Sequence, residues 1–490
     1  MPVSDQSIDL LVVGGGPAGI SAARSAAEAG LDVLLADERP TLGGQIYKQP
    51  GPGFTVTDPA AMDRQFRQGR ALIDSLDGTG VEVLLRTSLV AVEDRRVVLV
   101  TEGSAARTVT ARRMVLAPGA HDRPVAFPGW TLPGVITAGG LQTLAKTQRV
   151  LPGERILFAG SGPVALAFPA QLAHYGAHIV AALEAGPAPR AGDLVRLARA
   201  ARGNGVLLRD AARYRGMLLR HRIPLRYRRI VVRAEGDGRV ERVVHAAVDR
   251  DWRVLPGTEE TVRADVLCVG YGFVASLELM RLVGCEFDHR EDLGGHVVRR
   301  DEWLRTTVDG VYAAGDGAGV EGSFVAIDEG RVAGLAAAMD AGVLSAADAA
   351  AAAAPARRRL DRRRALSAAT ARLYRVGPGV YELSDDDTVI CRCEAVRRRD
   401  LAPAIASTDD INLVKGYTRA GMGPCQGRIC QRQVAGLIAR HHGRPIEEVA
   451  LATPRMPVRP VPIGALADHT IQGPTLFLAE DAAAEDGTKP

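Results

Sequence analysis

An internal repeat constrains this chain more than any other feature. Residues 8–38 read IDLLVVGGGPAGISAARSAAEAGLDVLLADE, and residues 154–184 read ERILFAGSGPVALAFPAQLAHYGAHIVAALE. At a constant offset of 146, Gly14 matches Gly160, Gly16 matches Gly162, Pro17 matches Pro163, Gly30 matches Gly176 and Glu38 matches Glu184. Each copy is a short apolar run, a glycine turn, an alanine-rich stretch, a glycine stop, a second apolar run and a terminal acid. That order predicts strand, helix and parallel strand, a βαβ unit formed twice. The expected fold is therefore α/β, with two Rossmann-like dinucleotide-binding domains.

Each turn has defined physical work. The first glycine makes the sharp strand-to-helix turn, the second lets the backbone approach a pyrophosphate, and a small third residue lets helix and strand pack closely. The anion sits at the hydrogen-bond-donating end of the helix, and the acid after the second strand accepts hydrogen bonds from a ribose. In the first copy Gly14, Gly16 and Gly19 follow a strand-like run, with Asp37 and Glu38 some 23–24 residues beyond Gly14. This copy is expected to bind an adenine dinucleotide or its ADP half. The second copy, Gly160-x-Gly162-x-x-Ala165, is degenerate. Alanine is tolerated in the third position, but Pro169 falls inside the helical stretch and would remove a backbone hydrogen bond. A bound nucleotide and a retained but empty scaffold both fit it. If occupied, this site is expected to take NAD rather than NADP, because Glu184 would repel a 2′-phosphate.

Composition excludes several classes. With 61 Lys and Arg against 57 Asp and Glu, the net charge is +4 in 490 residues, without the basic excess of a nucleic-acid binder. No stretch reaches the ~18 uninterrupted apolar residues of a membrane span. The start, MPVSDQSIDLLVV, does not read as a secretory signal, so a cytoplasmic location is expected. Basic residues are almost all Arg, with Lys only at 48, 146, 415 and 489. Six cysteines are too few for a disulfide framework. Cys268 and Cys285 stand apart and read as core, whereas Cys391, Cys393, Cys425 and Cys430 gather in the last hundred residues.

Strand-like segments ending in glycine recur at Met114–Gly119, Asp265–Gly270 and Val311–Gly315. Residues 190–222 read as one or two arginine-rich helices, and 225–233 and 239–248 as strands. Residues 344–372 predict a helical connector with little to bury, in which Pro355 can open a second helix and the RRRLDRRR run forms a solvated face. Cys391-x-Cys393 and Cys425-x4-Cys430 put four thiols in two close pairs. By spacing alone that set suits zinc or a 2Fe–2S cluster equally.

Gly43-Gly44-Gln45 after the first unit, and Gly315-Asp316 after VYAA, resemble the two-dinucleotide-binding-domain flavoproteins of the glutathione- and thioredoxin-reductase type. In that family the first unit holds FAD. The resemblance adds Gly44, Gln45, Gly119, Gly315 and Asp316 to the cofactor-binding set, with Asp316 on the ribityl chain and a helix from near Phe324–Asp328 aimed at the flavin. His121, just after the strand-end Gly119, is the candidate catalytic side chain, with structural hydrogen bonding as the alternative. Residues 42–47 are LGGQIY, without the reactive cysteine pair of the disulfide reductases, so dithiol chemistry is not expected.

VICRCEAV and KGYTRAGMGPCQGRIC resemble the bacterioferritin-associated-ferredoxin-like 2Fe–2S domain, which implies Cys391, Cys393, Cys425 and Cys430 as cluster ligands. That family usually separates its last two ligands by two residues, and here there are four. Together with APGAHDRPVAFPGWTLPGVITAGGLQTLAK (117–146), these motifs resemble the A-type subunits of opine oxidases and of the related hydrogen cyanide synthase and hydroxyproline or proline dehydrogenase complexes. Portions also resemble the large subunit of heterotetrameric sarcosine oxidase. The resemblance spans roughly residues 8–460.

It implies a FAD-type domain over 1–125 and 260–343, an inserted NAD-type Rossmann domain over 126–259 and a connector over 344–387. A 2Fe–2S domain over 388–450 and a Pro-rich tail over 451–490, lying extended on another surface, complete the layout. In those complexes an amine or imino acid is oxidised at a flavin in a partner subunit with a D-amino-acid-oxidase-like fold, and a further small subunit can be present. The implied role is a relay of electrons from that flavin through the cluster to an acceptor the sequence does not name. FAD is expected in the first site, although relatives place NAD or ATP there and share an FMN between subunits; NAD is the ligand expected in the second. Peripheral attachment to a membrane through the complex is compatible with this. Two other readings stay open: a self-contained NADH-dependent flavoprotein reductase, and a non-catalytic nucleotide-holding scaffold.

Overall fold

Both repeats fold as parallel strand–helix–strand units. The computed structural model describes residues 6–93, 95–103, 106–202 and 205–467. In the first unit β1 (Gln6–Val13) leads through α1 (Pro17–Glu28) to β2 (Val33–Ala36). β1 lies between β2 and β3 (Ala106–Leu116), parallel to both, and Val13 stands opposite Ala36 on one side and Leu116 on the other. Strand ends are thus level, and the glycine turn leaves the carboxyl edge of the sheet, where ligands of open α/β sheets bind. A late strand, Val311–Ala313, pairs with β3 and completes a seven-stranded sheet.

The second unit repeats the plan with β4 (Arg155–Gly160), α2 (Val164–His174) and β5 (His178–Glu184). Its parallel sheet of five strands runs Leu225–Tyr227, β5, β4, β6 (Val266–Gly270) and Val135–Thr137. Pro169 is accommodated inside α2. Residues 190–222 form two helices, Ala191–Ala200 and Gly205–Arg220. The two chain crossings between the units pair as a small antiparallel ribbon, with His121 opposite Val274.

Small residues set the packing around the first turn. Gly14 has φ of +106° and a Cβ there would meet the Ala117 carbonyl oxygen at 2.2 Å. α3 (Ser323–Asp340) lies against α1 so closely that a Cβ on Gly330 would reach the Ala18 carbonyl oxygen at 2.0 Å.

The connector departs from expectation in two ways. α4 (Ala346–Leu373) is one continuous helix, opened by a Ser345 side-chain cap, and Pro355 does not start a second one. An interior proline costs about 3 kcal/mol; here Ala349, Ala353, Ala356 and Leu360 are all buried, and that burial keeps the helix intact across the missing N–H. Nor is the arginine run simply solvated. Arg359 and Arg363 hold Asp328, and Arg364 reaches Glu329 and Glu321. Alanine composition suggests little to bury, and tertiary contact overrides it.

The cysteine-bearing segment is sewn into the second unit. One buried core contains Leu157 and Leu183 of its sheet, Val231 and Trp252 beyond it, and Cys391, Cys430, Val434 and Ile438 of the late segment. Trp130 donates its indole N–H to the Val389 carbonyl at 2.6 Å. Cys268 and Cys285 are buried, as expected for core residues. The tail runs back over the first unit, with Val458 N–H bonded to the Val90 carbonyl at 3.0 Å; residues 468–490 of the expected tail lie outside the described residues.

Candidate functional site

A single cavity of about 1510 Å³ runs from the first glycine turn to the second. That exceeds the ~300–1,000 Å³ of a typical ligand pocket, and its walls include Gly16, Glu38, Gln45, Asp316, Gly162 and Tyr175.

In the first lobe Gly14, Gly16 and Gly44 line the wall. Gly19 sits beneath, where a Cβ would collide with the Gly14 carbonyl oxygen at 1.7 Å, so the third glycine serves packing and not contact. The two acids divide their work. Asp37 is buried, accepts from Gly15 N–H at 2.5 Å and Arg39 N–H at 2.7 Å, and has its carboxyl pushed up by burial. Glu38 is half exposed at the rim and pairs with Arg459 at 3.3 Å. Asp316 lies half-buried in the wall, held by the N–H groups of Glu321 at 3.0 Å and Gly322 at 2.7 Å, and desolvation raises its pKa. Gly315 and Gly119 line the same wall. Gly315 N–H donates to Glu329 at 2.8 Å, and Glu329, only 1% exposed, is itself gripped by Arg300 at 2.7 Å. A helix N-terminus at Ser323 closes this lobe.

In the second lobe Gly162 and Pro163 face the cavity, and Ala165 is buried below. Glu184 does not face it. Its carboxylate is 2% exposed and takes Gly162 N–H at 3.0 Å and Gly186 N–H at 2.7 Å, while burial pushes its pKa up to about 7. The acid thus spends its hydrogen bonds on the loop itself and is not part of the cavity wall.

Sequence reasoning missed the wall between the lobes. Lys48 donates to Gln45 at 2.6 Å and Thr143 at 2.9 Å. Lys146 contacts Gln65 and lies 3.5 Å from Asp63, which also accepts from the Tyr175 hydroxyl at 2.7 Å. One signal could have found it: two of the four lysines in an arginine-dominated chain stand here, both buried.

His121 lines the cavity where the late segment meets it. Its Nδ1 is 3.4 Å from Ser276 Oγ and its Nε2 is 3.1 Å from the Arg428 carbonyl oxygen. Burial pushes its pKa down. Arg428 belongs to the Cys425–Cys430 loop, lines the same cavity and reaches Glu278 at 3.2 Å.

Four thiols converge beside that loop, Cys391 with Cys430 and Cys393 with Cys425. Cys391 is pulled down to about 6, first by Cys430 and then, against burial, by the N–H groups of Gly421, Glu394 and Cys393. Cys430 is pushed up by the same contact and by burial, and Cys425 by burial. A Cβ on Gly423 would strike Cys393 at 2.3 Å, so the loop must be glycine to close over the thiols. Among the described residues no three His, Cys, Asp or Glu side chains stand in single-metal geometry. Two thiol pairs ringed by backbone N–H groups do fit a group that takes two thiolates on each of two irons.

Comparison with known proteins gives a consistent picture. Residues 8–342 match the family model of pyridine nucleotide-disulphide oxidoreductases, and residues 387–469 match that of the sarcosine oxidase A3 domain. The HcnB subunit of hydrogen cyanide synthase from Pseudomonas aeruginosa is 34% identical over 460 residues, 93% of this chain and 97% of that protein. The A-type subunit of opine oxidase from Rhizobium meliloti is 32% identical over 472 residues, 94% of this chain and 98% of that protein. The crystal structure of L-proline dehydrogenase from P. horikoshii shares the fold, with a TM-score of 0.68 at 22% identity over 94% of this chain and 79% of that one.

Proposed function

The chain belongs to the pyridine nucleotide-disulphide oxidoreductase family, with HcnB and the A-type subunit of opine oxidase as full-length relatives, and from that premise we propose that it is the electron-transfer subunit of a multi-subunit amine or imino-acid dehydrogenase. One observation carries the reading: Arg428, inside the Cys425–Cys430 loop, is also a wall of the nucleotide cavity. Donor cavity and thiols are therefore neighbours.

In this reading the first lobe holds FAD or another adenine nucleotide. Gly14 and Gly16 face its pyrophosphate, Glu38 its ribose, and Gly44, Gln45, Gly119 and Asp316 the remainder. Cys391, Cys393, Cys425 and Cys430 hold a 2Fe–2S cluster. A flavin accepts a hydride and yields single electrons, and a 2Fe–2S cluster takes one electron at a time. This chain's own residues bind and orient: Arg300 and Glu329 fix the Gly315 turn, and His121 fixes the cysteine loop against the cavity. A partner flavoprotein subunit supplies the oxidation of the amine, an FMN lies between the chains, and the complex is cytoplasmic. Residues 1–125 with 260–343 form the FAD-type domain, and 126–259 the inserted one. Among the described residues no helix is long and apolar enough to cross a membrane.

The test is co-expression with the natural partner. The purified chain alone is expected not to oxidise glycine, proline or an opine, and the complex is expected to do so, with iron and sulfide in stoichiometric amounts. Bleaching of the isolated chain's flavin by NADH would replace this reading with a self-contained reductase.

A further inference from the structure

Lys48 is a buried ammonium with no carboxylate in ion-pair contact among the described residues. It is 4% exposed, and its two protein acceptors, Gln45 Oε1 and Thr143 Oγ1, are both uncharged. An ammonium has three donors, and no acceptor among the described residues takes the third. Among the described residues no carboxylate lies within 4 Å of its Nζ, in contrast to Lys146, which has Asp63 at 3.5 Å. Leaving such a charge unpaired in the interior is strongly unfavourable. Proteins usually meet that cost with a counter-ion, and here the described residues place none in contact with the ammonium.

The surroundings make the deficit specific. Gln45 and Thr143 both line the cavity, so the ammonium stands one hydrogen bond behind its wall. Arg39 and Lys146 add repulsion. Asp122 is the carboxylate that acts on Lys48, but it is tied to Gly139 N–H at 3.1 Å and burial raises its own pKa. The cavity on the far side of Gln45 and Thr143 is the open space nearest the ammonium.

We propose that Lys48 is an anion-receiving residue of the cavity, the counter-ion of a negative charge on the bound nucleotide cofactor, supplied by a phosphate or by the reduced flavin ring. The inference rests on the reading that the first lobe binds a nucleotide. Without that anion, burial holds the Lys48 amine at about 7, so the charge needed for binding is present at low pH and lost as pH rises. An anion that binds the charged form pulls the pKa back up. Arginine in its place would stay charged throughout.

The experiment titrates ADP, ATP and FAD into the full-length chain at about pH 6 and about pH 8.5, on either side of the Lys48 pKa of about 7. Wild type is expected to bind more tightly at the lower pH, Lys48→Arg to bind without that pH dependence, and Lys48→Met to bind roughly 10- to 100-fold more weakly at the lower pH. A loss that extends to ADP and ATP assigns the charge to a phosphate. Unchanged affinity for ADP, ATP and oxidised FAD, with a more negative midpoint potential in Lys48→Met, assigns it to the reduced ring. Wild-type affinities and potential in Lys48→Met would overturn the proposal while leaving the nucleotide reading intact. Absence of nucleotide binding by the wild type would overturn both. If Lys48→Met does not fold, the pH dependence of wild type against Lys48→Arg decides alone.

Discussion

His121 and Arg428 join the nucleotide cavity to the cysteine loop: the imidazole Nε2 lies 3.1 Å from the Arg428 carbonyl oxygen, across 307 positions of sequence. A carbonyl oxygen only accepts, so Nε2 carries the hydrogen in this contact. His121→Phe removes the donor and leaves that carbonyl unpaired, at a cost of about 1–3 kcal/mol. Reduction of the iron centre by substrate in the assembled complex is expected to slow about 10-fold with iron content unchanged, read by stopped-flow absorbance. An unchanged rate would make the contact merely structural.

Cys425→Ser is expected to lose iron and sulfide and the paramagnetic signal after dithionite, while ADP still binds at the first glycine turn. The two sites share a wall but no ligand. A colourless wild-type protein containing zinc would end the electron-relay reading.

Glu329 is buried between Arg300, 13% exposed, and Arg364, 39% exposed. Arg300→Met strands it and frees the Gly315 turn, so a loss of roughly 3 kcal/mol and leakage of bound nucleotide are expected. Arg364→Met should cost less, because that side chain is already partly solvated. Denaturant midpoints and retained nucleotide measure both. Adding Glu329→Gln to Arg300→Met should recover part of the loss.

For Glu184 the folded pKa of about 7 lies above its ordinary value of 4.5. The folded state binds the extra proton, so the stability from this group is full below about 4.5, and it fades as pH rises to about 7. Its size is at most ~3 kcal/mol. Glu184→Gln should flatten that part of the stability–pH curve, and should leave any preference between NAD and NADP as it was. A changed preference would show that the carboxylate reaches the ligand after all.

Local signals made the two βαβ units legible. Glycines at fixed offsets need no tertiary information, and Gly19 packs on Gly14 within the same short loop. The late cysteines read from sequence as two local pairs; their crosswise meeting, Cys391 with Cys430 and Cys393 with Cys425, depends on the fold and was not legible. The inward turn of Glu184 was not, since the offset that aligned it with Glu38 says nothing about which way a side chain points. Nor was the docking of Arg359, Arg363 and Arg364, because a run of arginines looks solvated until buried acids on another helix are known. Lys48 escaped because burial without a counter-ion is a property of the assembled wall.

Cys391 and Cys430 are each 1% exposed and belong to the same buried core as Leu157 and Val231. Cys393 is exposed and Cys425 half-buried, so the four thiols form a site with two walls in the core and two open to the surface. Because the late segment shares that core with the second unit, it cannot be lifted out and transplanted as a portable cartridge.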